Sequence, residues 1–317
     1  MKSDILIINL NTTKDVVYNI PGFKENKIFR TEVASSFGGG KGVNVARVLN
    51  KFKINNKVIG FVGGFNKKFI LHTLKKEKIN FIPINIKGES RVCTIIINNK
   101  NKKLSETVIN EKGPIINEKE RKKFLKIFIK EIKKVKYLII SGSVPQGIPS
   151  SFYHHLILIA STYNVKSILD TSGKSLKEAI NAKPYILKVN ISEIKDIFKN
   201  ISSEKILIKL KKKGIKYPVI TLGKKGILYI NERNKIIKSP PYNNKNILID
   251  KNKKMVTTIG CGDSFTAGII FYLMKYKNDL KIEKALHLAS IFSYLNTFEI
   301  GSGVLPDFNL NIIKKFL

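Results

Sequence analysis

Short apolar runs alternate with helical patterns along almost the whole chain, and few architectures accept that alternation. Ile5-Leu-Ile-Ile-Asn9, Lys57-Val-Ile-Gly-Phe-Val62, Tyr137-Leu-Ile-Ile140, Ser167-Ile-Leu-Asp170, Tyr185-Ile-Leu-Lys188 and Pro218-Val-Ile-Thr-Leu222 read as buried strands. Between them, Gly42–Phe52, Asn66–Glu77 and Glu118–Lys134 carry apolar residues at helical spacing, and Asp263–Lys275 and Ile282–Phe298 close the series. Strand–helix alternation predicts an α/β fold with a mostly parallel central sheet and helices on both faces. Such sheets bind ligands beyond the carboxyl ends of their strands. The β-like pieces at about Val16–Val33 and Ile82–Asn110 break the alternation, with Val92–Asn98 and Glu106–Asn110 reading as a hairpin. They predict a small separate sheet, a lid, whose strands fall within about 12–36 and 82–112 of one domain spanning 1–317. Asn243–Lys254 reads as a surface loop.

The net charge of +35 invites a nucleic-acid reading, but the basic residues are almost all Lys, with Arg only at 30, 47, 91, 121 and 233. Base-edge recognition favours the Arg fork. The lysines are spread among Asn and Ile along the whole chain, as compositional drift of an AT-biased genome would produce, so we expect no specific nucleic-acid partner. A nucleic-acid-binding protein is the rival class, and it predicts tight, steeply salt-dependent polyanion binding. No apolar run reaches the roughly 18 residues of a membrane span, so no membrane partner is expected. The apolar start reads as a first strand, not a signal peptide. Cys93 and Cys261 form no disulfide framework, which suits a reducing, cytoplasmic setting.

Thr258-Ile-Gly-Cys-Gly-Asp-Ser264 is a glycine-rich turn opening a helix, with one carboxylate at the opening. Gly260, Cys261 and Gly262 can present backbone N–H groups where a helix N-terminus adds partial positive charge, an anion hole. Asp263 there is suited to taking a proton from a hydroxyl, although an ordinary Asp near a helix cap is the plain alternative. Cys261 reads as a small filler. Phe37-Gly-Gly-Gly-Lys-Gly-Val-Asn44 also leads into a helix, and it holds more glycine than a turn requires. It lacks the spacing of a P-loop or a dinucleotide fingerprint. Lys188-Val-Asn-Ile-Ser-Glu193 puts a cation, an amide and a carboxylate at one strand end. Glu193 is placed either to meet Mg²⁺ or to close a capping box with Asn190, and both readings are compatible. Thr221-Leu-Gly-Lys-Lys-Gly226 reads as strand, turn and strand, and Asp15 follows the first strand. The four histidines show no metal-ligand spacing.

In this order the motifs resemble the ribokinase-like (PfkB) carbohydrate kinase family from Ile5 to about Gly303, most closely its sugar-phosphate branch, which contains 1-phosphofructokinase and tagatose-6-phosphate kinase. The branch is carried by Gly-Gly-Lys-Gly with Asn44-Val-Ala-Arg-Val-Leu49, Ser141-Gly-Ser-Val-Pro145 and Gly88-Glu-Ser-Arg91. The resemblance implies a three-layer α/β/α sandwich with a β lid, and a cytoplasmic ATP- and Mg²⁺-dependent kinase. By resemblance Asp263 is the general base, and the backbone of Gly260, Cys261 and Gly262 stabilises the transferring phosphoryl group. Asp15, Gly39, Gly40, Lys41 and Asn44 bind the sugar phosphate, with Arg91 closing from the lid. Lys188, Asn190 and Glu193 serve ATP phosphates and the metal, while Thr221, Gly223 and Gly226 line the nucleotide site, with Asn296 near the adenine. Oligomeric state is not legible, though a lid sheet with an exposed face would favour a homodimer through the lid. The chain departs from the family at Val189, where Pro is usual, at Asn11-Thr12, where Asn-Pro is usual, and at Val92-Cys93, which replaces an Asn-containing pair.

Overall fold

The computed structural model describes residues 4–100, 104–243, 253–276 and 281–308. The strand β1 (Ile5–Ile8) opens the main sheet, and β2 (Thr13–Asn19) and β3 (Val33–Gly39) leave it for a smaller one. The chain returns through α1 (Lys41–Lys51), β4 (Asn56–Gly63), α2 (Asn66–Lys76) and β5 (Phe81–Ile86), then adds β6 (Arg91–Asn98) and β7 (Ser105–Asn110) to the small sheet. From α3 (Glu118–Ile132) onward it alternates: β8 (Tyr137–Ser141), α4 (Phe152–Thr162), β9 (Lys166–Asp170), α5 (Gly173–Ala179), β10 (Ile186–Asn190), α6 (Ile191–Ile197), α7 (Ser203–Lys212) and β11 (Tyr217–Thr221). The strands β12 (Ile227–Ile230) and β13 (Ile236–Ser239) precede α8 (Cys261–Lys275) and α9 (Ile282–Asn296).

The main sheet runs β13-β12-β11-β10-β9-β8-β1-β4-β5, parallel from β11 to β5, with β12 and β13 added antiparallel at one edge. Its strands are near-continuous apolar runs because both faces are covered. In β1, Ile5 and Ile7 enter the layer built from α1, α2, α8 and α9, while Leu6 and Ile8 enter the layer built from α3 to α7. All four are fully buried. In α8, a Cβ on Gly268 would sit 2.6 Å from the Ala289 Cα of α9, so that glycine lets the two helices touch. The chain leaves β1 toward β4 on one side and β8 on the other, a switch point where the carboxyl ends open a crevice.

The small sheet runs β3-β2-β6-β7, and the expected hairpin is its antiparallel β6–β7 pair. Its inner face buries Val17, Phe37, Cys93, Ile95 and Ile97 against Ile259 and Ile300 of the core. On the outer strand β7, Val108 and Ile109 stay 43% and 57% exposed. Two expected boundaries move. Phe81–Ile86 is no lid strand but the edge of the main sheet, paired in parallel with β4, so this lid segment begins at Arg91. The lid's first segment extends through Gly38 and Gly39, which are strand residues paired with Lys14 and Thr13 and not a helix-entry turn. Of the expected loop at 243–254, positions 244–252 lie outside the described residues.

Candidate active site

The turn entering α8 depends on two glycines. Gly260 caps the helix at φ 85°, and a Cβ there would lie 2.6 Å from the Ser302 Cα. A Cβ on Gly262 would lie 2.9 Å from Lys188 Nζ, so the Lys188 ammonium rests directly against the turn. Amides in the first turn of a helix have no intrahelical acceptor. Cys261's N–H is taken by the Thr258 carbonyl at 3.3 Å, which leaves the amides of Gly262 and Asp263 for an anion. Burial pushes the Cys261 thiol up to about 12, against hydrogen bonds from Ser293 and Asn296, which suits the filler role.

Asp263 is buried in the first turn of α8 and accepts a 2.7 Å hydrogen bond from Asn44 Nδ2. Burial pushes its carboxyl up to about 6 against the pull of Lys41, with Asp170 adding to the rise and Asn44 and Lys188 opposing it. Asn44 is held in turn by Arg47, whose Nη1 donates to Asn44 Oδ1 at 2.9 Å and to the Ser302 carbonyl at 2.8 Å. The guanidinium thereby requires the amide to turn its Nδ2 toward Asp263. Its Nη2 reaches the Gly38 carbonyl at 2.7 Å and its Nε pairs with Glu77 at 2.7 Å.

Asp170, at the end of β9, is a charged residue that motif spacing missed; the available signal was a carboxylate at the carboxyl end of a parallel strand. It is fully buried, accepts from Lys188 Nζ at 2.8 Å, and lies 3.7 Å from Lys41 Nζ. Burial opposes ionisation there, but Lys188 and Lys41 hold its carboxyl below the ordinary range. Asp170 in turn raises Lys41 above the usual lysine value, against the cost of burial. Lys41 also stands 3.7 Å from Glu193 Oε1, and its side chain stays 40% exposed. Asp170 Oδ1 has no hydrogen-bond partner. Gly40 caps α1 at φ 113°, where a Cβ would overlap the Asn9 amide, and Asn9 Oδ1 accepts from Gly42 N–H at 3.1 Å. Asn9 was read only as a strand end.

On the lid side, Asp15 of β2 is buried against Gly39 of β3, where any Cβ would overlap its carboxylate. Burial pushes Asp15 up to about 6 against Arg47 and Arg91. Three buried polar atoms here lack protein partners: Asp15 Oδ1, Arg91 Nε and Asn11 Oδ1. Arg91 Nη1 is anchored to Asn110 Oδ1 at 3.1 Å, and Asn11 Nδ2 donates to Ser143 Oγ at 3.1 Å. Such a cluster of unpaired buried polar atoms is what a polar ligand would satisfy.

On the opposite side, Asn190 and Glu193 form the capping box at the start of α6. The capping box is closed by Glu193 N–H to Asn190 Oδ1 at 2.8 Å and Asn190 N–H to Glu193 Oε2 at 2.9 Å, leaving Oε1 turned to Lys41. Thr221 Oγ1 donates to the Val189 carbonyl at 3.3 Å. Gly223, at φ 59°, faces open space, whereas a Cβ on Gly226 would overlap the Ser239 carbonyl. Asn296 bonds within the protein. It is fully buried, its Oδ1 accepts from Ser264 Oγ at 2.8 Å and Gly303 N–H at 2.9 Å, and its Nδ2 donates to the Ile259 carbonyl at 2.8 Å. It braces the turn entering α8 from beneath. Among the described residues no three His, Cys, Asp or Glu are grouped to hold a metal, and no helix is long and apolar enough to cross a membrane.

The sequence pattern of the pfkB family carbohydrate kinases matches residues 4–307. A tagatose-6-phosphate kinase of Staphylococcus epidermidis is 32% identical over 308 residues, covering 94% of each chain. A 1-phosphofructokinase of Bacillus subtilis is 29% identical over 316 residues, covering 96% of this chain and 98% of its own. Among solved structures, a possible 1-phosphofructokinase of Thermotoga maritima superposes with a TM-score of 0.82 at 23% identity, covering 98% of this chain and 96% of its own. Phosphofructokinase-2 of Escherichia coli superposes at 0.81 and 18% identity, covering 99% and 98%. With a mostly parallel sheet, a β lid and a buried carboxylate at a glycine-capped helix already in place, the match across nearly the whole chain settles its kinship: it belongs to the pfkB family of carbohydrate kinases.

Proposed function

We propose that this chain transfers the terminal phosphoryl group of ATP to a phosphorylated ketohexose, D-fructose 1-phosphate at its 6-hydroxyl. The observation that carries the reading is Asp263, a buried carboxylate at the N-terminus of α8, aimed by Asn44 and flanked by Lys188 and Lys41. With its ionisation at about 6, Asp263 is mostly deprotonated near neutrality and accepts the proton of the attacking hydroxyl. The Gly262 and Asp263 amides and Lys188 stabilise charge on the phosphoryl oxygens, since phosphoryl transfer is mostly positioning and electrostatics. Thr221, Gly223 and Gly226 line the nucleotide side. On the lid side, the unpaired atoms of Asp15, Asn11 and Arg91 suit a polyhydroxyl substrate, and Arg91 and Lys41 suit its phosphate.

Magnesium fits this donor set. Mg²⁺ beside phosphates uses one or two carboxylates, and Asp170 Oδ1, buried without a hydrogen bond, and Glu193 Oε1 each stand 3.7 Å from the Lys41 ammonium. Asp170 and Glu193 would hold it together with nucleotide phosphates, whose charge it neutralises when bound.

The 32% identity to a tagatose-6-phosphate kinase favours a second reading, phosphorylation of tagatose 6-phosphate at its 1-hydroxyl. Fructose 6-phosphate is the less favoured third substrate. An assay coupled to ADP release across the three sugar phosphates tests the reading: turnover fastest on fructose 1-phosphate is expected, and no turnover on any of them would overturn it.

A further inference from the structure

The lid touches the phosphoryl-transfer turn through a carboxylate that the chemistry above does not use. Glu106 lies on β7, the outer strand of the small sheet, and it is the half-buried residue of a strand whose other positions are exposed. Its Oε1 accepts from the Thr258 backbone N–H at 2.7 Å and from the Thr257 hydroxyl, and its Oε2 accepts from the Thr258 hydroxyl. Thr258 in turn gives its carbonyl to Cys261 N–H, and Thr257 Oγ1 accepts from Ile259 N–H at 3.1 Å. The next side chain, Ile259, packs into the apolar face of the lid. The strip Thr257–Gly260 is therefore gripped from both sides. Asn296 and Thr297 hold it from the core, through the Ile259 carbonyl and the Val256 and Thr257 amides, and Glu106 and the Ile259 pocket hold it from the lid.

A negative side chain beside an anion-binding turn is unfavourable unless its charge is spent on donors, and here three donors of the turn itself spend it. The sugar-side groups Asp15 and Arg91 sit on β2 and β6 of the same four-stranded sheet. We infer that Glu106 is a positioning residue that latches the lid to the phosphoryl-transfer turn, so that the turn keeps its working shape only while the lid is down. A sugar phosphate that draws Asp15 and Arg91 toward the core thereby also tightens the turn that receives the phosphoryl group. Lid opening releases Thr258 and exposes an uncompensated carboxylate next to the anion site.

Only the kinetic arm of the test rests on the kinase reading; the other arm is a labelling measurement. Wild type, Glu106→Ala, Glu106→Gln and the exposed control Thr107→Ala are treated with N-ethylmaleimide, and modification of Cys261 and Cys93 is followed separately by peptide mass spectrometry. Cys261 lies in the turn and Cys93 in the lid core, so each reports its own region. We expect Glu106→Ala to speed Cys261 labelling about fivefold or more with Cys93 unchanged, as for a local opening. We expect kcat to fall about tenfold to a hundredfold, with KM for ATP and for the sugar phosphate within about threefold, because the loss is one of positioning. Glu106→Gln, which keeps an accepting oxygen, should recover part of both effects, and Thr107→Ala should change neither. Unchanged Cys261 labelling in Glu106→Ala, equal acceleration at both cysteines, or an unchanged kcat would each overturn the latch. A wild type inactive on every phosphosugar would overturn the proposed function while the labelling result still decided the latch.

Discussion

Asp263 and Asp15 are carboxylates whose surroundings favour the protonated form, each pushed from an ordinary 3.8 to about 6 by burial. A folded-state value above the unfolded one means that the native protein binds the extra proton. These groups therefore support stability below about 4 and oppose it increasingly as pH rises through about 6. Asp263→Asn should raise the melting temperature at pH 8, by up to about 3 kcal/mol of stability, and leave it unchanged at pH 4. In the same variant, kcat should fall by about two to four orders of magnitude, with ATP affinity by titration calorimetry largely retained. The wild-type rate should fall on the acid side as Asp263 protonates near pH 6. Arg47→Met frees the Asn44 amide to turn away, and its donation is one of the effects holding Asp263 down. The acid limb of the kcat profile should then move to higher pH; an unmoved limb with only a lower melting temperature would mean that Arg47 merely braces the fold. Asp263, Lys41 and the glycines were legible in the sequence because a carboxylate and a lysine among glycines at helix starts have few ordinary uses. Asp170, Arg47 and Asn9 were not, since their meaning comes from partners distant in sequence: Lys188 for Asp170, Ser302 for Arg47, and Gly42 for Asn9.

At the scale of elements, the parallel strands were readable because burial on both faces makes them uniformly apolar, as in β1. Phe81–Ile86 was not assigned correctly, since an edge strand with half-buried residues carries the same pattern as a lid strand. The lid hairpin was readable, but β3 was cut short because its final residues are glycines, which have no strand signature. The close packing of α8 on α9 gives a further test. Gly268→Ala forces a methyl group against the Ala289 backbone and should cost about 1 to 3 kcal/mol in chemical denaturation. Equal stability would mean that the helices can separate freely at that point.

At the scale of the molecule, the +35 charge surrounds a site whose ligands are anions. A positive field speeds capture of such ligands and is screened by salt. Raising ionic strength from about 0.05 M to about 0.5 M should lower kcat/KM several-fold and leave kcat nearly unchanged. A flat response would assign the lysines to composition alone. The small sheet is tied to the core with little slack. Its strand β3 ends at Gly39 and α1 begins at Lys41, so one residue, Gly40 at φ 113°, joins them. With so short a joint, any tilt of the roof would be passed on to the helix carrying Lys41 and Asn44, the groups that steady Asp263.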